Sequence, residues 1–208
     1  MKKTLLNFVL LVFLIACTDN KMEQQIQKAV LVENSNPPKM KAFSNVENLK
    51  ETLTDNSALV FTQWRKLQIA DGSEKWSAHT SITRFGKNSL KNGSQNDLGF
   101  TILGAEENYV NEVQLNLNIN NAEEKQEAFF HLAIFAEQTL ASLNIEQPSD
   151  LRAKILNDEN YFFENDSYYI LLKKDEWTQK NYNRSHILEL ELDKSIAIET
   201  TRLIIKSK

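Results

Sequence analysis

Glu112-Val113-Gln114-Leu115-Asn116-Leu117-Asn118-Ile119 alternates polar with apolar residues at every position. A strand turns successive side chains to opposite sides. Val113, Leu115, Leu117 and Ile119 therefore belong on a core, and Glu112, Gln114, Asn116 and Asn118 in water or against a polar partner. Directly after this stretch, Asn120 and Glu123 have the spacing of helix-capping residues. Phe129, Leu132, Ala133, Ala136, Leu140 and Leu143 then recur at helical spacing, widened by Phe130 and Ile134. A half-polar strand followed at once by an amphipathic helix points to an α+β fold, in which the helix plugs the apolar side of the sheet.

Working outward, Trp76, Ala78, Thr80 and Ile82 alternate with Ser77, His79, Ser81 and Thr83, and Leu98, Phe100 and Ile102 resume the alternation after a loop over 86–96 rich in Gly, Asn and Ser. Ser44-Asn45-Val46-Glu47 has the form of a capping box and predicts a helix over 45–55. Residues 59–69 fit a helix and a strand equally, ending at a turn at Asp71-Gly72. Downstream, Pro148-Ser149-Asp150 opens a short helix near 150–157, with Leu151, Ile155 and Leu156 on its apolar side. Strands are expected over 168–173 and over 186–193, where Leu188, Leu190 and Leu192 face inward, and 194–208 reads as a strand or a frayed tail. Without a regular βαβ alternation, the expected architecture is an antiparallel sheet packed against one long and one or two shorter helices.

The chain has 208 residues, with 24 basic against 28 acidic, a formal charge of −4. That balance argues against a sequence-independent grip on nucleic acid. One cysteine, Cys17, excludes an internal disulfide and a CxxC pair. Its surroundings carry more information than its number. Met1-Lys2-Lys3 is basic, 5–16 is an apolar run of about 18 Å as a helix, short of the ~30 Å of a bilayer core, and a small residue precedes the cysteine. These are the parts of a secretory signal.

Leu14-Ile15-Ala16-Cys17 resembles the lipobox of bacterial lipoproteins. The resemblance covers the signal alone. It implies that the Cys17 thiol receives a diacylglyceryl group, that cleavage falls after Ala16, and that Cys17 becomes the mature N-terminus. The expected organisation is a signal peptide over 1–16, a lipidated cysteine and flexible tether over 17–42 containing Pro37-Pro38, and one α+β domain over 43–208. Removing Lys2 and Lys3 leaves 22 basic and 28 acidic residues, 22 − 28 = −6. Two or more acyl chains hold a protein at a bilayer, so the expected partner through Cys17 is a membrane of the cell envelope, on the side facing away from the cytoplasm.

Chemistry-bearing patterns are few. His79, His131 and His186 show no metal-ligand spacing, and the chain has no GxSxG elbow, no phosphate loop and no GxGxxG. No metal, no cofactor and no catalytic residue is expected. His79 reads as a solvated side chain on a strand's polar side, His131 as a boundary residue of its helix, and His186 as a strand-end residue. Glu189 and Glu191 share a strand side as an ordinary wet face would, and Asn157-Asp158-Glu159-Asn160 reads as a solvated helix end. One bias stands out: Tyr161, Phe162, Phe163, Tyr168, Tyr169, Trp177 and Tyr182 crowd into 22 positions. Core packing accounts for part of it. Polar-tipped aromatics also favour recognition surfaces, and Tyr161, Tyr169, Trp177 and Tyr182 are the candidate binding face. The functional expectation is a lipid-anchored binding module with a protein partner in the envelope. The alternative is an envelope hydrolase acting on glycan or peptide through His79 or the Glu189 and Glu191 face.

Overall fold

In a computed structural model of the chain, the described residues are 41–55, 57–68, 72–90, 93–180 and 195–207, with the side chains of 42, 176–180 and 195–198 excepted, all within the unit Lys39–Ser207. The expectations at Cys17, Tyr182, His186, Glu189 and Glu191, the strand over 186–193 and the segment 1–40 lie outside them.

The alternating stretch forms β5 (Glu112–Ile119), and every second residue is buried as its pattern requires. Its neighbours are β4 (Asn96–Gly104) on one side and β8 (Ser195–Ser207) on the other, both antiparallel. Beyond β4 come β2 (Glu74–His79) and β1 (Arg65–Gln68), while the short β3 (Thr83–Phe85) pairs with the other end of β4. Beyond β8 come β7 (Tyr168–Lys180) and β6 (Tyr161–Glu164). The result is an eight-stranded antiparallel sheet in the order β1-β2-β4-β5-β8-β7-β6. Helices α1 (Val46–Thr54), α2 (Lys125–Ser142) and α3 (Leu151–Leu156) complete an α+β fold.

Helix α2 buries Ala128, Phe129, Leu132, Ala133, Ala136 and Leu140 in one core with Leu98, Phe100, Ile102, Leu115 and Leu117 of the sheet, joined by Leu49 and Leu53 of α1 and by Leu151 and Ile155 of α3. Phe130 does not widen the stripe as expected: it is 47% exposed, with the Arg152 guanidinium 5.7 Å over its ring. Both expected caps shift by one residue. Asn45, not Ser44, caps α1 by accepting from the Asn48 N–H. Asn121 rather than Asn120 accepts from the Glu123 N–H, because the Asn120 side chain is drawn across to Gln95 and Asp97.

Three further elements depart from the sequence reading. The ambiguous stretch before residue 70 is extended, with Phe61 bridged to Thr80 and then β1. The strand expected through Ile82 stops at His79, and Ile82 is 46% exposed. There the chain kinks over Gly99, where a Cβ would stand 3.0 Å from Thr80 Oγ1 and 3.2 Å from the Ser81 carbonyl oxygen. Glycine is what lets the two backbones approach. Lastly, the ambiguous tail is β8, a central strand. Its period is hidden because Glu199 and Thr201 occupy core-side positions opposite Ile119 and Leu117. Glu199 is tolerated there because Lys125, at the start of α2, reaches it at 2.8 Å.

Candidate functional site

Helix α2 packs against β4 and β5 from one side. Among the described residues no helix covers the other side, and strand register turns that open face into a grid. Reading from β6 to β1, one row is Glu164, Tyr169, Lys206, Glu112, Leu103, Ser77 and Arg65. The next is Phe162, Leu171, Ile204, Gln114, Thr101 and His79. The third is Lys173, Arg202, Asn116 and Gly99, and the fourth Asp175, Thr200, Asn118, Asp97 and Arg84. Neighbours within a row are about 4.8 Å apart, and rows are about 6.7 Å apart.

The fourth row is a hydrogen-bonded ladder. Thr200 Oγ1 donates to Asn118 Oδ1 at 2.7 Å, and Asn118 Nδ2 donates to Asp97 Oδ1 at 2.7 Å. Asn120 Nδ2 donates to the other Asp97 oxygen at 2.9 Å. One row up, Asn116 Nδ2 donates to Thr101 Oγ1 at 3.1 Å. Burial pushes the Asp97 carboxyl above the ordinary aspartate range, and the amides of Asn118 and Asn120 and the nearby Arg84 offset only part of that rise. At the far end, Arg202 Nη1 and Lys173 Nζ approach the same Asp175 oxygen at 3.2 and 3.5 Å. Two cations share one carboxylate. Asp97 and Asp175 stand three strands apart, about 14 Å, beyond the 5 to 9.5 Å of glycosidase carboxylate pairs.

On the helix side, Lys125 Nζ contacts Asp158 and Glu199, each at 2.8 Å, and Lys174 contacts Asp158 at 2.8 Å. Burial works to lower the Lys125 pKa, but the two carboxylates outweigh it and raise it above the usual lysine value. The Asp158 carboxylate, read as part of a solvated helix end, thus ties α2 to β7 through two lysines. A separate cleft of about 600 Å³ lies between α1, the end of α2 and the β6–β7 turn, lined by Lys41, Asn48, Thr52, Asn144, Ser167 and Tyr168 among others. Its ionisable lining groups, Lys41, Glu146 and Tyr168, do not form an acid–base pair with an imidazole or a second carboxylate. Among the described residues no group of three or more His, Cys, Asp or Glu side chains could hold a metal ion.

The candidate aromatic face divides. Tyr161 is buried, and its hydroxyl donates to Asp150 Oδ1 at 2.7 Å. Burial, then that carboxylate, hold its pKa far above the usual phenol value. It serves the core and not a surface. Tyr169 does lie on the open face, half-buried beside Phe162, with Lys206 Nζ 5.9 Å from its ring centre. Trp177 stands in β7 opposite Ile198, its side chain outside the described ones. His79 is exposed beside Thr101, two same-face positions from Asp97. His131 is half-buried against Phe85, ring centres 4.4 Å apart. Sequence reasoning did not single out Asp97, Thr200, Arg202 or Lys173. The polar alternation of β5 was the one signal that pointed to their face.

No helix among the described residues is long and apolar enough to cross a membrane. Compared with protein-family models, with curated proteins and with solved structures, the chain matches none.

Proposed function

We propose that this chain is a binding module of the bacterial cell envelope, held at a membrane by lipid on Cys17, which engages a protein partner through the open face of its sheet. The observation that carries the reading is the face itself. Eight strands contribute to it, the apolar stretch Phe162, Leu171 and Ile204 lies between rows that carry charge, and its side chains are half-buried from Phe162 across to Thr101 except for the buried Ile204. A broad sheet surface that mixes apolar and polar groups suits a macromolecular surface better than a small substrate, which binds in concave sites. The lipobox resemblance supports the anchor, since Leu14-Ile15-Ala16 stands directly before the one cysteine. The hydrolase alternative has no observation in its favour among the described residues.

Two measurements test the reading. Mass spectrometry of the purified chain should recover Cys17 diacylated and N-terminal. Photo-crosslinkers placed singly at Asn116 and Arg202 should capture one and the same envelope protein in intact cells, while a crosslinker at Gln138, exposed on α2, should not. An unmodified thiol sinks the anchor. Capture from Gln138 alone sinks the open-face assignment.

A further inference from the structure

We infer that the β6–β8 corner of the open face seats an amphipathic helix of the partner, with an apolar stripe and one acidic flank; the inference rests on the binding-module reading above. Phe162, Leu171 and Ile204 form an apolar row across three adjacent strands, with Ile204 as a buried floor and the other two half exposed. On one side of this row lie Lys173 and Arg202, and on the other Tyr169 and Lys206.

Residues 169 and 173 are four apart on one strand, so the two flanking rows are about 13 Å apart. A helix with its side chains is about 10 to 12 Å across. One helix therefore fits between them with its apolar stripe on the central row.

Charge sets its orientation. The Lys173 and Arg202 side chains are 38% and 33% exposed, and both lean on the single oxygen Asp175 Oδ2. A guanidinium carries five N–H donors, so this row has more donors and more positive charge than Asp175 satisfies. Across the apolar row, Lys206 faces Glu112 and Tyr169 faces Glu164, so that side carries no such excess. An acidic flank is thus drawn to Lys173 and Arg202. Among the described residues this face has no second wall, which also decides between occupants: a lone acyl chain needs enclosure, whereas a helix brings its own second wall.

The test titrates the full chain, in nanodiscs of zwitterionic lipid with empty nanodiscs as the blank, with three probes. One is a synthetic helical peptide with a Leu stripe and a Glu flank, the second its counterpart with Lys for Glu, and the third a monomeric short-chain phosphatidylglycerol. The Glu peptide is expected to bind at least tenfold more tightly than the Lys peptide, R202Q to remove most of that preference, and Lys173→Glu with Arg202→Glu to reverse it. Leu171→Ala should weaken both peptides alike. Melting curves followed by circular dichroism accompany every variant, and R202Q keeps the test open if the double reversal unfolds. Equal affinity for the two peptides, a preference unchanged in folded R202Q, or binding of phosphatidylglycerol in place of peptide overturns the inference. Crosslinking from Asn116 that persists after such a result would leave the binding module standing without the helix; its loss would remove both.

Discussion

Replacing Asn118 with alanine removes the middle rung of the ladder that joins β4, β5 and β8. Two hydrogen bonds go: the one Asn118 donates to the Asp97 carboxylate and the one it accepts from Thr200, both at 2.7 Å. A bond to a charged group is worth about 1.5 to 3 kcal/mol and a neutral one about 0.5 to 1.5. The Asp97 carboxylate is 8% exposed and keeps the Asn120 amide, so the lower half of the sum applies, about 2 to 3 kcal/mol. For a chain of this size that lowers Tm by roughly 4 to 12 °C. The pH dependence is the sharper reading. In the native protein the amide offsets part of the burial that raises the Asp97 pKa. Without it the carboxyl binds its proton more tightly in the fold, so protonation relieves part of the loss. Urea unfolding followed by tryptophan fluorescence should therefore show a larger deficit for Asn118→Ala near pH 7 than near pH 4.5. A deficit below about 0.5 kcal/mol near pH 7, or one equal at both pH values, would refute the ladder as a stabilising device.

Other substitutions probe separate parts of the structure. Gly104→Ala would thrust a Cβ to 2.9 Å from Trp64 Cζ2 and against the Tyr109 carbonyl; overpacking of this kind costs about 1 to 3 kcal/mol, read as a lower urea midpoint, and an unchanged midpoint would contradict the packing. Lys125→Met leaves Glu199 without its cation while Asp158 keeps Lys174; with Lys125 31% exposed, solvent screening discounts the loss to about 1 to 2 kcal/mol, and a neutral result in calorimetry would show the cluster to be energetically idle. The Tyr161 phenol, raised by burial and by Asp150, contributes stability that is present below the ordinary phenol pKa and lost as pH rises beyond it. Tyr161→Phe should flatten that alkaline loss in thermal melts, and an identical alkaline limb in both proteins would count against it.

The helix-side half of the fold was legible in the sequence because period-2 and period-3.6 patterns each report a single buried face, and β5 and α2 have one buried face apiece. β8 escaped because its core side changes character along its length, apolar at Leu203 and Ile205 and polar at Glu199 and Thr201; only the arrival of Lys125 from α2 makes that acceptable. The kink after His79 was equally hidden, since Ile82 satisfies the alternation and is displaced by a close approach to Gly99 from another strand. The candidate site was half visible. Gln114, Asn116 and Asn118 announced a polar face on one strand, but that Thr200, Asp97, Arg202 and Lys173 lie beside them depends on which strands pair and in what register. Tyr161 shows the converse, an aromatic whose polar tip suggested recognition until Asp150 was found to receive its hydroxyl in the core. Local chemistry along the chain thus determined the α+β class, the principal strand and helix, and the lipobox-like start. The tertiary structure alone decided the open face, because a surface made of one residue in two from eight strands exists only once those strands are side by side.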